Sequence, residues 1–228
     1  MINSLWISKT GMQAQQTQLD VISNNLANVS TNGFKRANAV FEDLMYQNLR
    51  QVGANSSEQS ELPTGLQLGL GVRTVATSRS FTQGSLQQSG NNLDLAINGS
   101  GFLQVTMPDG TVGYTRDGSL QLDAQGRMVT SSGYPLTAGI TIPAEAQSVT
   151  VSADGVVSAK MPGQATPQQV GNIELANFVN PAGLEPRGQN LFSESLASGN
   201  PINGAPGSAG MGNLMQGFVE TSNVNVVQ

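Results

Sequence analysis

Apolar side chains recur at every seventh position over the first thirty residues. Leu5, Met12, Leu19 and Leu26 keep this spacing, and Ile22 stands beside them. Seven residues make about two turns of an α-helix, so these five side chains form one narrow stripe, the heptad seam. So thin a stripe does not stabilise an isolated helix in water. The spacing predicts an N-terminal helix that packs against a partner helix, with an amphipathic helix lying on its own domain as the alternative.

Composition narrows the function classes. The 228 residues, of which 38% are hydrophobic, can form one domain with a core and carry an extended appendage. Charged residues make up only 11%, against about 25% in ordinary soluble domains, which indicates surfaces that become covered. A net charge of −5 with ten Lys and Arg argues against nucleic acid and anionic membranes as partners. The absence of Cys and His excludes disulfides, thiol nucleophiles, Cys/His zinc sites and imidazole catalysis.

The N-terminus carries no recognisable targeting signal. The first residues lack the basic segment and apolar run of a secretory signal, and no later run approaches the ~20 apolar residues of a membrane span. We therefore expect no direct membrane insertion. On this criterion alone, the cytoplasm is the default location.

Polar composition sets one internal segment apart from the rest. The helix is expected to end between Asn28 and Gly33, where Asn, Ser, Thr and Gly cluster. The segment 46–71, which we call the arm, is too polar to bury and too long for an ordinary loop. The alternation of Leu66, Leu68 and Leu70 predicts a returning strand, and hence a long projecting β-hairpin. A solvated, disordered loop is the alternative.

A compact all-β domain is predicted from Phe81 to about Asn200. Turn residues arrive every 8–12 positions, as in sandwiches and barrels, and a Gly- and Pro-rich stretch at 199–212 is expected to unwind this core. The fold class is therefore mainly β with an N-terminal α-helix. The predicted strands are Phe102–Met107, Val112–Thr115, Ser119–Leu122 and Arg127–Thr130.

Carboxylates offer the nearest approach to a chemical site. Asp109, Asp117 and Asp123 could supply oxygens to a calcium ion, but their spacing fits no EF-hand loop and each occupies a turn position that favours local backbone capping. We predict no catalytic, cofactor-binding or metal-binding residue. A cell-wall carbohydrate-binding β-module is an alternative function, although the dispersed Tyr and Trp residues form no stacking platform.

Several motifs resemble the flagellar rod and hook proteins, and they span the whole chain. The opening signature runs from Val21 to Lys35, with Asn24, Asn25, Leu26, Asn28, Gly33 and Phe34 as its marked residues. The later matches follow in the order of that family: Asn98-Gly99-Ser100-Gly101-Phe102, Tyr114-Thr115-Arg116-Asp117-Gly118-Ser119, Gly188-Gln189-Asn190-Leu191-Phe192 and Gly217-Phe218-Val219-Glu220-Thr221-Ser222-Asn223-Val224.

Length and the insert within the arm resemble the distal rod members of this family, with a proximal rod or hook-type subunit as the alternative. The resemblance implies a homopolymer, exported without a Sec signal by the flagellar type III apparatus. It would assemble in the basal body from the periplasm to the outer membrane, with other rod subunits, the hook and the P- and L-ring bushing as neighbours. The implied parts are an inner-tube helix (1–32), a connector with the arm (33–80), an all-β outer domain (81–210) and a return linker (211–228).

Two further expectations follow from the resemblance. The arm is expected to stiffen the polymer by filling gaps between neighbouring subunits, through Ser56, Ser57, Glu58, Gln59, Leu62, Pro63 and Gly65. Family members continue into a C-terminal helix that pairs with the N-terminal one, whereas this sequence stops at Gln228. The heptad seam is therefore expected to lack an intramolecular mate, and a chain ending there should polymerise poorly.

Overall fold

A single long helix precedes a series of short strands. The computed structural model describes residues 2–51, 55–57, 60–61, 64–164, 166–208 and 210–225. Contacts divide the chain into two compact units. The helical unit comprises residues 1–25 and 37–79, and the β-unit comprises residues 26–36 and 80–228. The fold is mostly antiparallel β-structure with one N-terminal α-helix, as the sequence predicts.

Helix α1 runs from Ile2 to Ala27 and ends where the signature turns polar. Hydrogen bonds from Val29 N to Leu26 O and from Thr31 N to Asn28 O turn the chain beyond it. The strands of the helical unit form three antiparallel pairs, β1 with β6, β2 with β5 and β3 with β4. Their bounds are β1 Ala37–Asp43, β2 Tyr46–Arg50, β3 Asn55–Ser57, β4 Ser60–Glu61, β5 Leu66–Gly69 and β6 Val72–Arg79.

Among the described residues of the β-unit, fifteen short strands are present. A six-stranded sheet has the order β17-β18-β10-β9-β16-β19, a three-stranded sheet has the order β13-β14-β15, and β7–β21, β8–β20 and β11–β12 pair separately. A 3-10 turn spans Pro181–Gly183. The bounds are β7 Leu86–Gln88, β8 Leu95–Asn98, β9 Phe102–Thr106, β10 Val112–Thr115, β11 Leu120–Leu122, β12 Met128–Thr130, β13 Ser148–Val151, β14 Val156–Lys160, β15 Gln168–Asn172, β16 Leu175–Asn177, β17 Glu185–Gly188, β18 Leu191–Ser193, β19 Ile202–Gly204, β20 Asn213–Gln216 and β21 Phe218–Glu220.

Two apolar clusters form the core of the β-unit. The larger one includes Leu95, Leu103, Val105, Val157 and Leu175, all buried. The smaller one is aromatic, with edge-to-face rings whose centroids lie 4.8–6.3 Å apart. Such pairs add about 0.5–1.5 kcal/mol beyond the area they bury. Its buried members are Phe102, Tyr114, Ala176, Phe178, Leu184 and Phe192, and the partly buried Phe81 packs against them.

Turns lie at three of the expected Asp- and Gly-containing positions, whereas Arg116-Asp117-Gly118 leads from β10 to β11 without a turn. Gly110 N donates to Met107 O, Gly126 N to Asp123 O and Gly155 N to Ser152 O, each closing a tight connection between neighbouring strands. The strand ends differ from the predicted ones by at most one residue. Turn chemistry is local, so residue type is enough to place these connections.

The stretch 199–212 does not unwind the core as the sequence predicts. Strand β19 lies within it and hydrogen-bonds to β16 at the edge of the six-stranded sheet, and Met211 belongs to the larger apolar cluster. An edge strand needs only backbone hydrogen bonds on one side, so Gly- and Pro-rich sequence can supply it. The expected return linker 211–228 likewise contains β20 and β21, paired with β8 and β7.

Two leucines separate core packing from surface exposure. Leu103 is fully buried, whereas Leu196 is fully exposed. We expect Leu103→Ala to lower the free energy of unfolding by about 2–5 kcal/mol, because it removes buried methyl groups and leaves a cavity. The matched change Leu196→Ala should stay within about 0.5 kcal/mol of the parent. Urea denaturation measures both, and equal losses would contradict this assignment of the core.

Candidate functional site

The heptad seam is exposed on α1. Leu5 is 72% exposed and Leu19 is 62% exposed, and the other three members are at least half exposed. Trp6 is also exposed, and the Lys9 ammonium lies 5.1 Å from its ring centroid. Exposed apolar side chains at helical spacing are typical of a surface that binds another helix.

A different side of α1 packs against its own unit. The buried or half-buried positions recur at three- and four-residue steps and carry small or polar side chains, namely Thr10, Ala14, Thr17, Val21 and Asn25. Gly71 approaches this side so closely that a Cβ there would lie 2.3 Å from Thr10 Oγ1. The helix is therefore held by its small residues while the heptad seam remains uncovered by the described residues.

The signature residues that follow the seam form a hydrogen-bonded turn. Asn25 Nδ2 donates to Ala37 O at 2.7 Å, and Asn25 Oδ1 accepts from Ala37 N at 2.9 Å. Asn28 Oδ1 accepts from Thr31 Oγ1 at 3.3 Å, whereas Asn24 is exposed. The two Asn25 bonds satisfy the backbone where β1 begins, which explains an amide side chain at this position.

Gly33 and Phe34 lie where the signature meets the β-unit. Gly33 has φ +69°, and a Cβ at this position would lie 2.6 Å from Asp117 N. Its N–H donates to Glu220 O at 2.8 Å, and Phe34 is buried. Both the left-handed backbone and the close approach require glycine at position 33.

Three charged side chains from distant parts of the sequence meet in the interior of the β-unit. Lys35 Nζ lies 2.6 Å from Glu220 Oε1, and Arg116 Nε lies 3.0 Å from Glu220 Oε2. The side chains of Lys35 and Glu220 are 1% and 0% exposed, and that of Arg116 is 4% exposed. We call Lys35, Arg116 and Glu220 the buried charge cluster.

Backbone groups complete the buried charge cluster. Lys35 Nζ also donates to Thr82 O at 2.8 Å, and Glu220 Oε1 accepts from Gly84 N at 2.8 Å. Arg116 donates to Gly101 O at 2.7 Å and to Gly99 O at 2.8 Å. Charges removed from water need such partners, because an unpaired ion in the interior costs several kcal/mol.

Burial and pairing act in opposite directions on the two cations. Burial lowers the pKa of Lys35 below its usual value, while the charge and hydrogen bond of Glu220 raise it. Burial likewise lowers the pKa of Arg116, and Glu220 again opposes the shift. The single carboxylate therefore offsets part of the cost of burying two cations, and it fixes which segments come together.

The turn aspartates cap their own backbone. Asp109 Oδ1 accepts from Thr111 N and Thr111 Oγ1, and Asp117 Oδ1 accepts from Ser119 N. Asp123 accepts from Ala124 N and pairs with Arg127 at 2.7 Å. Within the described ranges, no group of three or more Asp, Glu, His or Cys residues is placed to hold a metal ion.

Comparison with known proteins identifies the family. Residues 5–35 match the family model described as flagella basal body rod protein, and residues 96–159 match the flagellar hook protein FlgE/F/G D1 domain. The chain is 58% identical, over its full length and 88% of the relative, to the flagellar basal-body rod protein FlgG of Buchnera aphidicola subsp. Schizaphis graminum. The chain belongs to the FlgG family of flagellar basal-body rod proteins.

Two more distant FlgG proteins extend the similarity. The one from Borreliella burgdorferi is 45% identical over the full chain and 87% of its own length. The one from Bacillus subtilis is 38% identical over 99% of the chain and 86% of its own length. Membership in the FlgG family makes this a structural protein of the distal rod in the flagellar basal body, not an enzyme, and one that assembles with other flagellar components.

The arm of this FlgG chain forms a hairpin in its described part. The ladder of β2 and β5 pairs Tyr46 with Gly69 and Arg50 with Leu66, and β3 pairs with β4 further along. Within the described residues, these strands pair in the antiparallel way that a hairpin requires. Among the predicted stiffening residues, Ser56 and Ser57 lie in β3 and Gly65 precedes β5, whereas Glu58, Gln59, Leu62 and Pro63 lie outside the described residues.

Sequence reasoning missed the buried charge cluster. Lys35 and Arg116 entered it only as two of the ten cations in the charge balance and as members of motifs shared with the flagellar rod and hook proteins. The signal that could have indicated burial is a charged residue that stands among Gly, Phe and Asn within such a motif. Their common partner, Glu220, could not be deduced because sequence spacing carries no information on which distant charges meet. In the described part of the chain, no helix is long and apolar enough to cross a membrane.

Gly33 and Gly90 provide a matched pair for testing the close approach of Gly33 to the backbone at Asp117. Both have positive φ, but a Cβ at Gly90 meets nothing within 4 Å, whereas one at Gly33 meets the backbone at Asp117. We expect Gly90→Ala to lose about 1–2 kcal/mol from left-handed strain alone. Gly33→Ala should lose about 2–4 kcal/mol because overpacking adds to that strain. Thermal and urea unfolding measure both, and equal losses would contradict the close approach at Gly33.

Proposed function

We propose that this protein polymerises helically into the rigid distal segment of the rod, the drive shaft that transmits motor torque to the hook. The exposed heptad seam carries the proposal. Leu5, Met12, Leu19, Ile22 and Leu26 expose at least half of their surface, and each fully buried Leu or Ile side chain contributes about 1.5–3 kcal/mol. Helices of neighbouring copies are the natural cover for such a stripe.

Surface composition supports the same assembly. Charged residues account for 11% of the sequence, so copies of the chain repel one another weakly when they pack side by side. Contacts that repeat head to tail without closing generate a helical filament. Polymerisation thus needs no ligand or cofactor, only further copies that repeat the same head-to-tail contact.

We extend the proposal to the neighbours and the location of the protein. We assign as partners the other rod subunits, the hook and the surrounding P- and L-ring bushing, between the periplasm and the outer membrane. We also assign export through the flagellar type III apparatus. The net charge of −5 argues against nucleic acid as a partner.

We propose further that the arm makes the rod stiff. The paired strands of its described part form a hydrogen-bonded element that can fill space between subunits. At its base, the ladder of β1 and β6 is bridged by the exposed ion pair of Arg73 with Glu42 at 3.0 Å. An element with internal hydrogen bonds resists compression better than a free loop does, so wedging it between neighbours would restrict bending.

Substitution within the heptad seam tests polymerisation. We expect Leu5→Gln combined with Leu19→Gln to abolish rod growth, because each change removes about 2 kcal/mol of apolar burial from every contact. Gln is nearly as good a helix former as Leu, so α1 should persist. The variant replaces the native protein in a motile bacterium, and swimming and isolated basal bodies are scored.

Gln13 provides the control for this experiment. It lies on α1 but outside the heptad seam and is exposed, so Gln13→Ala should leave rods and swimming intact. Rods of normal length in the double Leu variant would refute the assignment of the seam, whereas loss of rods in both variants would point to a general requirement of α1.

Removal of the arm tests stiffness separately from assembly. Deleting residues 47–64 should still permit tubes but increase their bending, because the filling between subunits is lost. A Gly- and Ser-rich replacement of the same length serves as a control, since it restores length without paired strands and should bend as the deletion does. Electron microscopy measures tube curvature, and deletion tubes as straight as the parent would overturn this role.

A further inference from the structure

The buried charge cluster joins segments from both ends of the described chain. Lys35 follows the signature turn, Glu220 ends β21, and the two are separated by 185 positions. Arg116 comes from the connection after β10, so one carboxylate draws together three motifs. The buried charge cluster belongs to neither the heptad seam nor the arm, and the proposed polymerisation does not account for it.

Backbone hydrogen bonds link the same two segments. Gly33 N donates to Glu220 O at 2.8 Å, and Arg36 N donates to Asn223 Oδ1 at 2.7 Å. In return, Asn223 N donates to Phe34 O at 3.4 Å. The amides at positions 33 and 36 thus have their acceptors in the segment 220–223.

Asn223 ties this segment to the β-unit as well. Its Nδ2 lies within hydrogen-bonding distance of Ser80 O, Thr82 O and Thr82 Oγ1, at 2.8–3.1 Å. Thr221 N donates to Ser85 O at 2.9 Å. The segment 220–223 therefore lies between the residues that follow the signature turn and those that lead into β7, and bonds to both.

Without Glu220, the docked position of Lys35 would be unfavourable. Its ammonium would retain Thr82 O but would share the interior with the Arg116 guanidinium, and the carboxylate that pairs with both cations would be lost. Removing one partner of a buried ion pair leaves an uncompensated charge, which is strongly destabilising. The segment 26–36 would remain solvated in that case, because water then offers Lys35 the better environment.

We infer that Glu220 makes docking of residues 26–36 conditional on docking of the segment 218–223. The inference is independent of the proposed polymerisation, since it concerns closure within one chain. When the chain is synthesised or exported from its N-terminus, residues 26–36 cannot dock onto the rest of the β-unit until the segment around Glu220 has also emerged. The buried charge cluster thereby sets the order in which the β-unit closes.

Amide exchange followed by NMR on the whole protein tests the condition at equilibrium. In Glu220→Gln, the amides of Gly33 and Arg36 should exchange about 100-fold faster than in the parent, because breaking a buried pair raises the open fraction of this segment. The amides of β9 and β10 should change less than about threefold, since the core remains folded. Gly33 and Arg36 protected as in the parent would overturn the inference.

Two further variants separate the cluster from general effects. Asp123→Asn removes an exposed ion pair of the same unit and should leave Gly33 and Arg36 unchanged. Asn223→Ala removes the acceptor of Arg36 N without altering a buried charge, and should accelerate exchange at Arg36 by about tenfold. Equal acceleration in Asp123→Asn would overturn the inference.

Refolding of the unaltered chain gives a second measurement that does not depend on any variant folding. Pulse labelling at successive times reports when each amide becomes protected. The amides of Gly33 and Arg36 should gain protection in the same kinetic phase as Thr221, or after it. Protection at Gly33 and Arg36 before Thr221 would overturn the inference, whether or not Glu220→Gln folds.

Discussion

The carboxylate of Glu220 places a negative charge inside the β-unit, and much of the chain is arranged around it. Lys35 and Arg116 neutralise it from two other parts of the sequence, and Gly84 donates a backbone N–H to it. Buried ion pairs add little net stability compared with apolar packing, but they tolerate few alternative arrangements. The cluster thus specifies register, while the apolar core around Leu103 supplies the driving force.

Local signals in the sequence were sufficient for most of the architecture. Turn residues such as Asp109-Gly110 and Asp123 to Gly126 fixed the hairpins, because their backbone preferences do not depend on distant contacts. The heptad spacing located α1, and its end followed from the polar signature. The family could also be recognised from motifs alone, since these are contiguous in sequence.

Features that depend on distant contacts could not be predicted. Strand β19 was missed because Gly- and Pro-rich sequence normally indicates a loop, and only the exposed edge of β16 gives it a partner. The buried charge cluster was missed because Lys, Arg and Glu are rarely buried, and nothing in their spacing shows that these three meet. Sequence spacing also did not reveal that α1 would use Ala14 and Thr17, rather than its leucines, to contact its own unit.

Helix α1 carries its intramolecular contacts and its exposed leucines at separate positions. Ala14 and the small residues near it hold the helix in place, while Leu5 and Leu19 make no comparable contact with the described residues. In the proposed polymer, the strength of attachment to a neighbour can therefore change without disturbing how the subunit itself folds. Subunits from different bacteria can then differ in the heptad seam while they keep the small residues on the other side of α1. The two sets of positions would accumulate substitutions at different rates.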